Sequence, residues 1–166
     1  MRREPWGATM NATVYIETSI IGYLTSRPSR GLITAANQQL TYDWWHEHRQ
    51  QFDLFVSQFV IDECAAGDVV AAKERLDVLV NIRQLEVTEA VESLAQALLD
   101  QVPLPGKAQV DALHIATATI HGMEYLLTWN CTHIANAILR PRVEAICRSL
   151  GYEPPTICTP QELMED

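Results

Sequence analysis

Short runs of apolar, β-branched or aromatic residues alternate along this chain with longer stretches of helical pattern. The first run, residues 13–16, reads Thr-Val-Tyr-Ile and carries no charge, which is typical of a strand buried on both faces. Further runs follow at residues 52–56, 82–87, 125–128 and 156–158. Because helical segments separate these runs, we expect parallel strands joined by right-handed crossovers. The alternation predicts a three-layer α/β/α sandwich with a mostly parallel central sheet.

The helices between the strands are marked by capping residues and by glycine or proline stops. Helices are predicted at residues 32–50, 58–66, 69–80, 88–100, 109–121, 134–139 and 142–150. Ser57 and Asp68 are the expected N-caps of the second and third helices, since short polar side chains accept from the first free N–H groups. Near the end of the chain, Thr159 and Glu162 have the spacing of a capping box, which predicts a final helical turn.

The length of 166 residues fits one domain. We expect this domain to span residues 10–166, and residues 1–9 to form a poorly ordered extension. No run of ~20 apolar residues is present, so the sequence predicts no membrane span. The four cysteines lack the close spacing of a metal knuckle or a small disulfide scaffold. This pattern favours reduced, buried thiols and a cytoplasmic location.

The net charge of the chain is −9, with only 12 Lys and Arg against 21 Asp and Glu. Sequence-independent affinity for nucleic acid comes mainly from contacts of Lys and Arg with phosphates. The composition therefore argues against tight non-specific binding of RNA or DNA. If the protein acts on nucleic acid, a bound cation or a basic partner must supply positive charge.

Four polar residues stand where a parallel α/β fold places its ligands. Glu17 directly follows the first strand and Asn130 follows the fourth. Glu63 and Asp111 lie on predicted helices. Ligands of open parallel sheets bind beyond the carboxyl ends of the strands, so the four side chains could converge on one cleft. Grouped carboxylates repel one another, and hard oxygen ligands of this kind suit Mg²⁺ or Mn²⁺.

Each of these residues also has a purely structural interpretation. Glu17 could be a solvated residue after a strand, and Glu63 could be a surface acid beside Asp62. Asp111 could serve only to stabilise the positive end of its helix dipole. Asn130 could be an ordinary turn residue. The order and spacing of the four along the chain, more than any one of them, favours a metal site.

The same order of motifs resembles the PIN-domain family, in particular its VapC-like ribonuclease toxins. The resemblance begins with a strand followed by acid-x-Ser/Thr at residues 14–20 and continues at 57–63, where a Glu ends a helical stretch. It is strongest in the Asp-bearing helix at residues 111–118, and the element order agrees through 127–130. The likeness covers about residues 14–136 and implies the family's α/β/α sandwich.

This resemblance implies a divalent-metal-dependent endoribonuclease in which metal-activated water hydrolyses RNA phosphodiesters. The residues that would bind Mg²⁺ or Mn²⁺ are Glu17, Glu63 and Asp111. Asn130 would complete the catalytic set in the fourth acidic position. The residues that would hydrogen-bond or bind beside them are Ser19, Thr18 and His114. His114 can also be interpreted as a satisfied, partly buried histidine of the core.

Two residues depart from the family's pattern. Glu17 stands where the family usually has Asp, and the neutral amide of Asn130 would weaken any second metal. Two other functions therefore stay open, namely a PIN-like binding or interaction module without turnover, and a small-molecule phosphohydrolase. The partners implied by the resemblance are RNA as substrate, a small antitoxin with a basic tail, and a second copy of the chain in a homodimer.

Overall fold

The computed structural model describes residues 2–3, 9–103 and 108–164. Its strands are β1 (Arg2–Arg3), β2 (Thr9–Met10), β3 (Ala12–Ile16), β4 (Phe52–Ser57), β5 (Arg83–Leu85), β6 (Tyr125–Leu127) and β7 (Thr156–Cys158). Strands β1 and β2 form a two-residue antiparallel pair. The other five form one sheet in the order β5-β4-β3-β6-β7, and every neighbouring pair in it is parallel.

The α-helices of the described residues are α1 (Thr18–Thr25), α2 (Leu32–Asp43), α3 (Gln58–Ala65), α4 (Val69–Leu79), α5 (Glu89–Gln101), α6 (Ala108–Ile120) and α7 (Arg140–Ser149). Helices α1 to α4 pack among themselves, and α5 packs against both α6 and α7. Because crossovers between parallel strands are almost always right-handed, this strand order puts the two groups of helices on opposite faces of the sheet. The predicted three-layer α/β/α sandwich is confirmed, with a fully parallel central sheet.

The order of the strands creates a switch point next to the central strand β3. The chain moves from β3 to β4 and β5 on one side, and then returns to the other side for β6 and β7. The last residues of β3 and β6, Ile16 and Leu127, are paired in register. Ligands of such sheets bind in the crevice at this point. Glu17 and Thr128, which directly follow the two strands, therefore lie at its rim.

The central strands are buried on both faces, as their uncharged sequences predict. Fully or almost fully buried residues are Val14, Tyr15, Ile16, Leu126 and Leu127. Each large apolar side chain buried in this way contributes about 1.5–3 kcal/mol. Tyr15 is the polar exception, and its hydroxyl lies 2.7 Å from Ser57 Oγ and 2.7 Å from His114 Nδ1. The core thus includes a hydrogen-bonded chain directly below the switch point.

Two expected caps had different outcomes. Asp68 caps α4 as predicted, because its carboxylate accepts from Ala71 N–H at 3.0 Å. Ser57 occupies the N-cap position of α3 but makes no capping hydrogen bond with its side chain. Its hydroxyl pairs with Tyr15 instead, since a buried phenol needs a partner inside the protein. The capping box of the last helical turn, Pro160–Leu163, is confirmed.

The predicted helix at residues 134–139 is wrong, since this segment is a series of turns. Asn136 Oδ1 accepts from the N–H groups of Ile138 at 2.9 Å and Leu139 at 3.3 Å. Such local side-chain bonds offer the backbone an alternative to helix formation. The next helix, α7, begins at Arg140, two residues earlier than expected, and Pro141 stands in its first turn.

The predicted helix at residues 32–50 is confirmed in position but changes its winding. Helix α2 continues into a π-helical turn at Trp44–His48 and then a 3₁₀ turn at Arg49–Gln51. The wider turn coincides with the burial of two adjacent indole rings, Trp44 and Trp45. The segment then enters β4 without a loop.

The cysteines follow the expected pattern except at one position. Cys64, Cys147 and Cys158 are buried, whereas Cys131 is exposed, so the expectation of burial is wrong there. Burial raises the pKa of Cys64 to about 11 and that of Cys158 to about 12. No disulfide joins any of the four.

Two segments for which the sequence made predictions are described only in part, namely the expected N-terminal extension and the loop before α6. Of residues 1–9, only the β1 strand and Thr9 are described, and the rest of the expected extension lies outside the described residues. The same holds for residues 104–107 of the loop before α6. Among the helices of the described ranges, none is both long and apolar enough to cross a membrane.

Candidate metal centre

Glu17 is held at the end of β3 by hydrogen bonds to one of its two carboxylate oxygens. It is the N-cap of α1, and its Oε2 accepts from Ser19 N–H at 3.1 Å. The same oxygen accepts from the Ser19 hydroxyl and, at 2.7 Å, from Thr128 Oγ1. Its exposed fraction is only 5%, so the interpretation of Glu17 as a solvated surface acid is wrong. Oε1 has no hydrogen-bond partner among the described residues.

Glu63 reaches the same place from α3 and is held in a similar way. Its Oε1 accepts from Thr18 Oγ1 at 2.7 Å and faces His114 Nε2 at 2.6 Å. Within the described part of the chain, Oε2 makes no hydrogen bond. Burial alone would raise the pKa of Glu63, but the contact with His114 and the hydrogen bond from the hydroxyl of Thr18 together lower it. Glu63 is therefore a carboxylate at neutral pH.

His114 lies beneath the two carboxylates and is completely buried. Its Nε2 faces Glu63, and its Nδ1 lies 2.7 Å from the hydroxyl of Tyr15, which also contacts Ser57. Burial raises the pKa of Tyr15 above its ordinary value, so the phenol is neutral and keeps its proton. A continuous hydrogen-bonded chain therefore runs from the core to the carboxylate of Glu63.

The side chains of Glu17, Glu63 and His114 meet closely enough to surround one cation. Each presents a possible ligand atom within 4.8 Å of the other two. Two carboxylates this close repel each other unless positive charge lies between or beside them. Among the described residues, hydrogen-bond donors contact one oxygen of each carboxylate and leave the other oxygen free. A hard divalent cation with oxygen ligands fits this donor set.

Asp111 belongs to a second cluster beside the first. It lies in the first turn of α6, and its Oδ1 accepts from Asn130 Nδ2 at 3.2 Å. Its Oδ2 lies 2.7 Å from His133 Nδ1. The backbone N–H of His133 donates to Asn130 Oδ1 at 3.1 Å, so the amide nitrogen of Asn130 must be the atom that faces Asp111. Both oxygens of Asp111 thus have a partner.

The segment after β6 joins the two clusters. Thr128 is fully buried, donates to Glu17 Oε2 and accepts from the backbone N–H of Asn130 at 2.9 Å. The hydroxyl of Ser19 accepts from the backbone N–H of Trp129 at 2.8 Å. The exits of β3 and β6 are therefore tied together at the switch point, and the position of Glu17 depends on both.

All seven residues proposed from the sequence lie in these two clusters. Those that contact one another around the candidate cation position are Glu17, Thr18, Ser19, Glu63 and His114. Asp111 and Asn130 contact each other in the neighbouring cluster. Within the described residues, the group of possible metal ligands contains His114 and does not contain Asp111. Whether Asp111 binds the same cation stays a prediction.

Three contacts of the site were not foreseen from the sequence. His133 binds Asp111, Thr128 binds Glu17, and Tyr15 binds His114. Thr128 and His133 flank Asn130 closely along the chain, so a search for polar residues after the fourth strand could have found them. Tyr15 gives no such signal, because a tyrosine in a buried strand looks like an ordinary core residue.

The comparisons with known proteins agree with this fold. The sequence model of the PIN domain matches residues 14–130, which is more than half of the chain. The chain therefore belongs to the PIN domain family. No curated protein sequence matches it significantly.

Two solved structures of VapC proteins are similar to this one. The first is VapBC2 from Rickettsia felis bound to a DNA fragment from its promoter, with a TM-score of 0.56 and 13% identity. That match covers 89% of this chain and 98% of the other. The second is VapC20 from Mycobacterium tuberculosis, a sarcin-ricin loop cleaving toxin, with a TM-score of 0.54 and 18% identity, covering 68% and 86%. At these identities the likeness establishes the VapC fold.

Proposed function

We propose that this protein is a divalent-metal-dependent endoribonuclease and the toxin of a toxin–antitoxin pair, acting in the cytoplasm. The observation that carries the proposal is the pairing of Glu17 and Glu63 at the switch point of a PIN domain. Each carboxylate has one oxygen that is held by hydrogen-bond donors, and no described residue donates to the other oxygen. The shared fold of VapC20, which cleaves the sarcin-ricin loop, supports RNA as the substrate.

The proposed roles follow from the contacts of each residue. Glu17 and Glu63 bind Mg²⁺ or Mn²⁺ through their free oxygens. Asp111 joins them through the lone pairs that its two partners leave, since a carboxylate has about four acceptor positions. Asn130 orients Asp111 and adds no charge. When bound, the cation activates water for attack and neutralises charge on the scissile phosphate.

Three further residues hold this set in place. Ser19 and Thr18 donate to Glu17 and Glu63 respectively, so that neither carboxylate rotates freely. His114 supports Glu63 from below. We also infer that residues 10–166 act as one domain, because the late strand β7 belongs to the same sheet.

The decisive experiment is cleavage of single-stranded RNA by the purified protein with Mg²⁺ or Mn²⁺. We expect cleavage that stops on addition of EDTA and is lost in Glu63→Gln. The matched control is Asp62→Asn, the adjacent exposed acid on α3, which contacts Gln58 and not the site. This variant should cut RNA normally.

Other outcomes separate the rival functions. Cleavage that survives both EDTA and Glu63→Gln would contradict the proposed mechanism. RNA that is bound but never cut, whichever metal is present, would favour a binding module. Metal-dependent hydrolysis of p-nitrophenyl phosphate with no cleavage of RNA would favour a small-molecule phosphohydrolase.

We propose a small antitoxin whose extended basic tail places an Arg or Lys against the free oxygens of Glu17 and Glu63. The net charge of −9 favours a basic partner, and the similarity to VapBC2 supports an antitoxin as that partner. Contacts of a guanidinium with a carboxylate are charge-assisted and strong when water is excluded. Expression of the chain alone should slow growth, and co-expression of the partner should restore it.

The antitoxin proposal has a clear counter-result. Growth that is unaffected by the chain alone, in an active RNA-cleaving form, would contradict it. A homodimer is expected from the family resemblance, and sedimentation of the purified protein tests that expectation.

A further inference from the structure

A chain of three hydrogen bonds extends from Glu63 into the core of the protein. Ser57 Oγ, Tyr15 Oη and His114 Nδ1 follow one another at 2.7 Å, and His114 Nε2 then faces Glu63 Oε1 at 2.6 Å. Ser57, Tyr15 and His114 are all fully buried. They come from β4, β3 and α6, three elements far apart in sequence. Such a chain fixes the imidazole ring in position and in orientation.

The partners of His114 decide which ring nitrogen carries a proton. Glu63 is a carboxylate and can only accept, so Nε2 must carry the proton that it donates. In a neutral ring, Nδ1 then accepts from the Tyr15 hydroxyl. In a charged ring, Nδ1–H donates to the Tyr15 oxygen, and the Tyr15 hydroxyl in turn donates a hydrogen bond to Ser57 Oγ. Nε2 carries a proton in both cases, so the conclusion is independent of the charge on the ring.

A protonated Nε2 has no lone pair for a metal. His114 lies within 4.8 Å of the two carboxylates and looks at first like a third ligand. The Nε2–H group instead donates to Glu63 Oε1, which also accepts a second hydrogen bond from Thr18 Oγ1 at 2.7 Å. With both acceptor positions of Oε1 filled, Oε2 is the oxygen of Glu63 that stays available.

We infer that His114 is a positioning residue, which selects the ligand oxygen of Glu63 and makes the cation site one of oxygen atoms only. This inference rests on the proposed metal-dependent function. A site of oxygen ligands favours Mg²⁺ and Mn²⁺, whereas an imidazole ligand would shift preference toward Zn²⁺ and related ions. The hydrogen-bonded chain of Ser57, Tyr15 and His114 thus influences which metal binds, although none of its side chains contacts the metal.

The protonation of His114 can be observed directly. We expect nitrogen NMR of the full-length protein with ¹⁵N-labelled histidine to show a proton bonded to Nε2, and to show it still after Mg²⁺ is added. The His114→Gln spectrum identifies the signal by its loss. An Nε2 without a proton in the metal-free protein, or one that loses its proton when Mg²⁺ is added, would overturn the inference.

A matched pair of variants separates positioning from ligation. The amide nitrogen of Gln falls near the place of imidazole Nε2, so His114→Gln can still donate to Glu63. The amide of Asn falls near Nδ1, so His114→Asn keeps only the contact with Tyr15. Loss of a hydrogen bond to a ligand typically costs roughly 10–100-fold in metal affinity. We expect a loss of this size in His114→Asn and a change of less than about threefold in His114→Gln.

The control for this pair is His121→Asn. His121 follows the end of α6 and contacts the backbone oxygen of Glu86 at 2.7 Å, away from the site. Its Mn²⁺ affinity should match that of the unmodified protein. Equal losses in His114→Gln and His114→Asn would mean that the imidazole itself is a ligand, and equal retention in both would mean that it does not act on the site. Either result overturns the inference.

These measurements are separate from the test of RNA cleavage. If His114→Asn alone weakens Mn²⁺ binding but no RNA is cut, the positioning role stands and the nuclease proposal fails. If the protein cuts RNA and both variants bind Mn²⁺ normally, the nuclease proposal stands and the positioning role fails. A protein that binds no Mn²⁺ overturns the positioning role, whatever its action on RNA.

Discussion

The two carboxylate clusters at the carboxyl edge of the sheet are held in different ways. Within the part of the chain that the structure describes, Glu17 and Glu63 each have one oxygen that accepts from several donors and one oxygen that accepts from none. Asp111 has one donor on each oxygen, from Asn130 and from His133. The first arrangement aims a single oxygen outward, whereas the second fixes the orientation of the whole carboxylate.

This difference suggests different contributions to a bound cation. A carboxylate with one fully free oxygen can bind a metal without giving up any hydrogen bond. Asp111 can bind only through the lone pairs that its partners leave, or by breaking a contact. The first cluster should therefore dominate the affinity for metal, and the second should influence it more weakly.

The largest effect should distinguish Glu63→Gln from Asp111→Asn in their affinity for Mn²⁺. In Glu63→Gln, the amide oxygen will face the donors Thr18 and His114, which turns the NH₂ group toward the cation position. We expect a loss of about 100-fold, or about 2.7 kcal/mol. Asp111→Asn should lose about tenfold, or about 1.4 kcal/mol, because Asp111 is the more weakly available ligand. Both variants should fail to cut RNA.

Calorimetric titration of Mn²⁺ into the two variants tests this difference. Their melting temperatures in EDTA must first show that each is folded. Equal losses of affinity would contradict the distinction between the two clusters, and a larger loss in Asp111→Asn would reverse it.

A smaller effect on the affinity for Mn²⁺ is expected from Asn130→Asp. This change replaces an amide donor 3.2 Å from Asp111 with a second carboxylate. Like charges about 5 Å apart at an effective dielectric of about 20 repel by roughly 3 kcal/mol, which should destabilise the metal-free protein. The melting temperature in EDTA should therefore fall by about 6–12 °C. A bound divalent cation attracts the added carboxylate, so Asn130→Asp should bind Mn²⁺ more tightly than the unmodified protein.

The matched control is Asn136→Asp, which makes the same change of charge nearby along the chain. The side-chain oxygen of Asn136 accepts two backbone N–H groups, and an aspartate can accept both, although it loses the N–H that Asn136 donates to the Thr132 carbonyl at 3.1 Å. Its Mn²⁺ affinity should stay unchanged. If Asn130→Asp changes neither melting nor Mn²⁺ affinity, the contact with Asp111 is unimportant in solution, and position 130 is only a turn residue.

The smallest effect concerns pH. The pKa of Glu63 is lowered in the folded protein, mainly through His114 once the opposing effect of burial is overcome. A lowered pKa contributes stability that is complete above the ordinary value of 4.5 and is lost as pH falls through the folded pKa. In EDTA, Glu63→Gln should therefore melt below the unmodified protein at pH 6, and the difference should shrink toward pH 3. A difference that is constant across this range would contradict the assignment of the shift to Glu63.

Much of the fold was predictable because local patterns and tertiary structure agree. The strand at residues 13–16 and the helix caps at Asp68 and Thr159 were found correctly from sequence. The failures at Ser57 and at residues 134–139 have opposite causes. At Ser57 a distant partner, Tyr15, replaced the expected local cap, whereas at residues 134–139 the local bonds of Asn136 to the backbone replaced the expected helix.

The sequence predicted which residues form the candidate site better than it predicted how they contact one another. Glu17 and Asn130 could be identified because Glu17 directly follows β3 and Asn130 lies three residues after β6, and both strands end at the switch point. The partners of Asp111 could not be read from spacing alone, because the turn after Asn130 decides that His133 folds back toward α6. The expectation of one three-carboxylate cluster therefore stays a prediction, which a metal titration can test.

The sequence by itself determined the layered parallel architecture, because uncharged strands separated by amphipathic helices can bury their apolar faces in few other ways. It also determined which carboxylates reach the carboxyl edge of the sheet. Only the tertiary structure decided which oxygen of each carboxylate is free. That choice depends on donors from distant elements, Thr128 after β6 for Glu17 and His114 on α6 for Glu63. Hydrogen bonds act over about 3 Å, so they are defined only once the packing has brought these groups together.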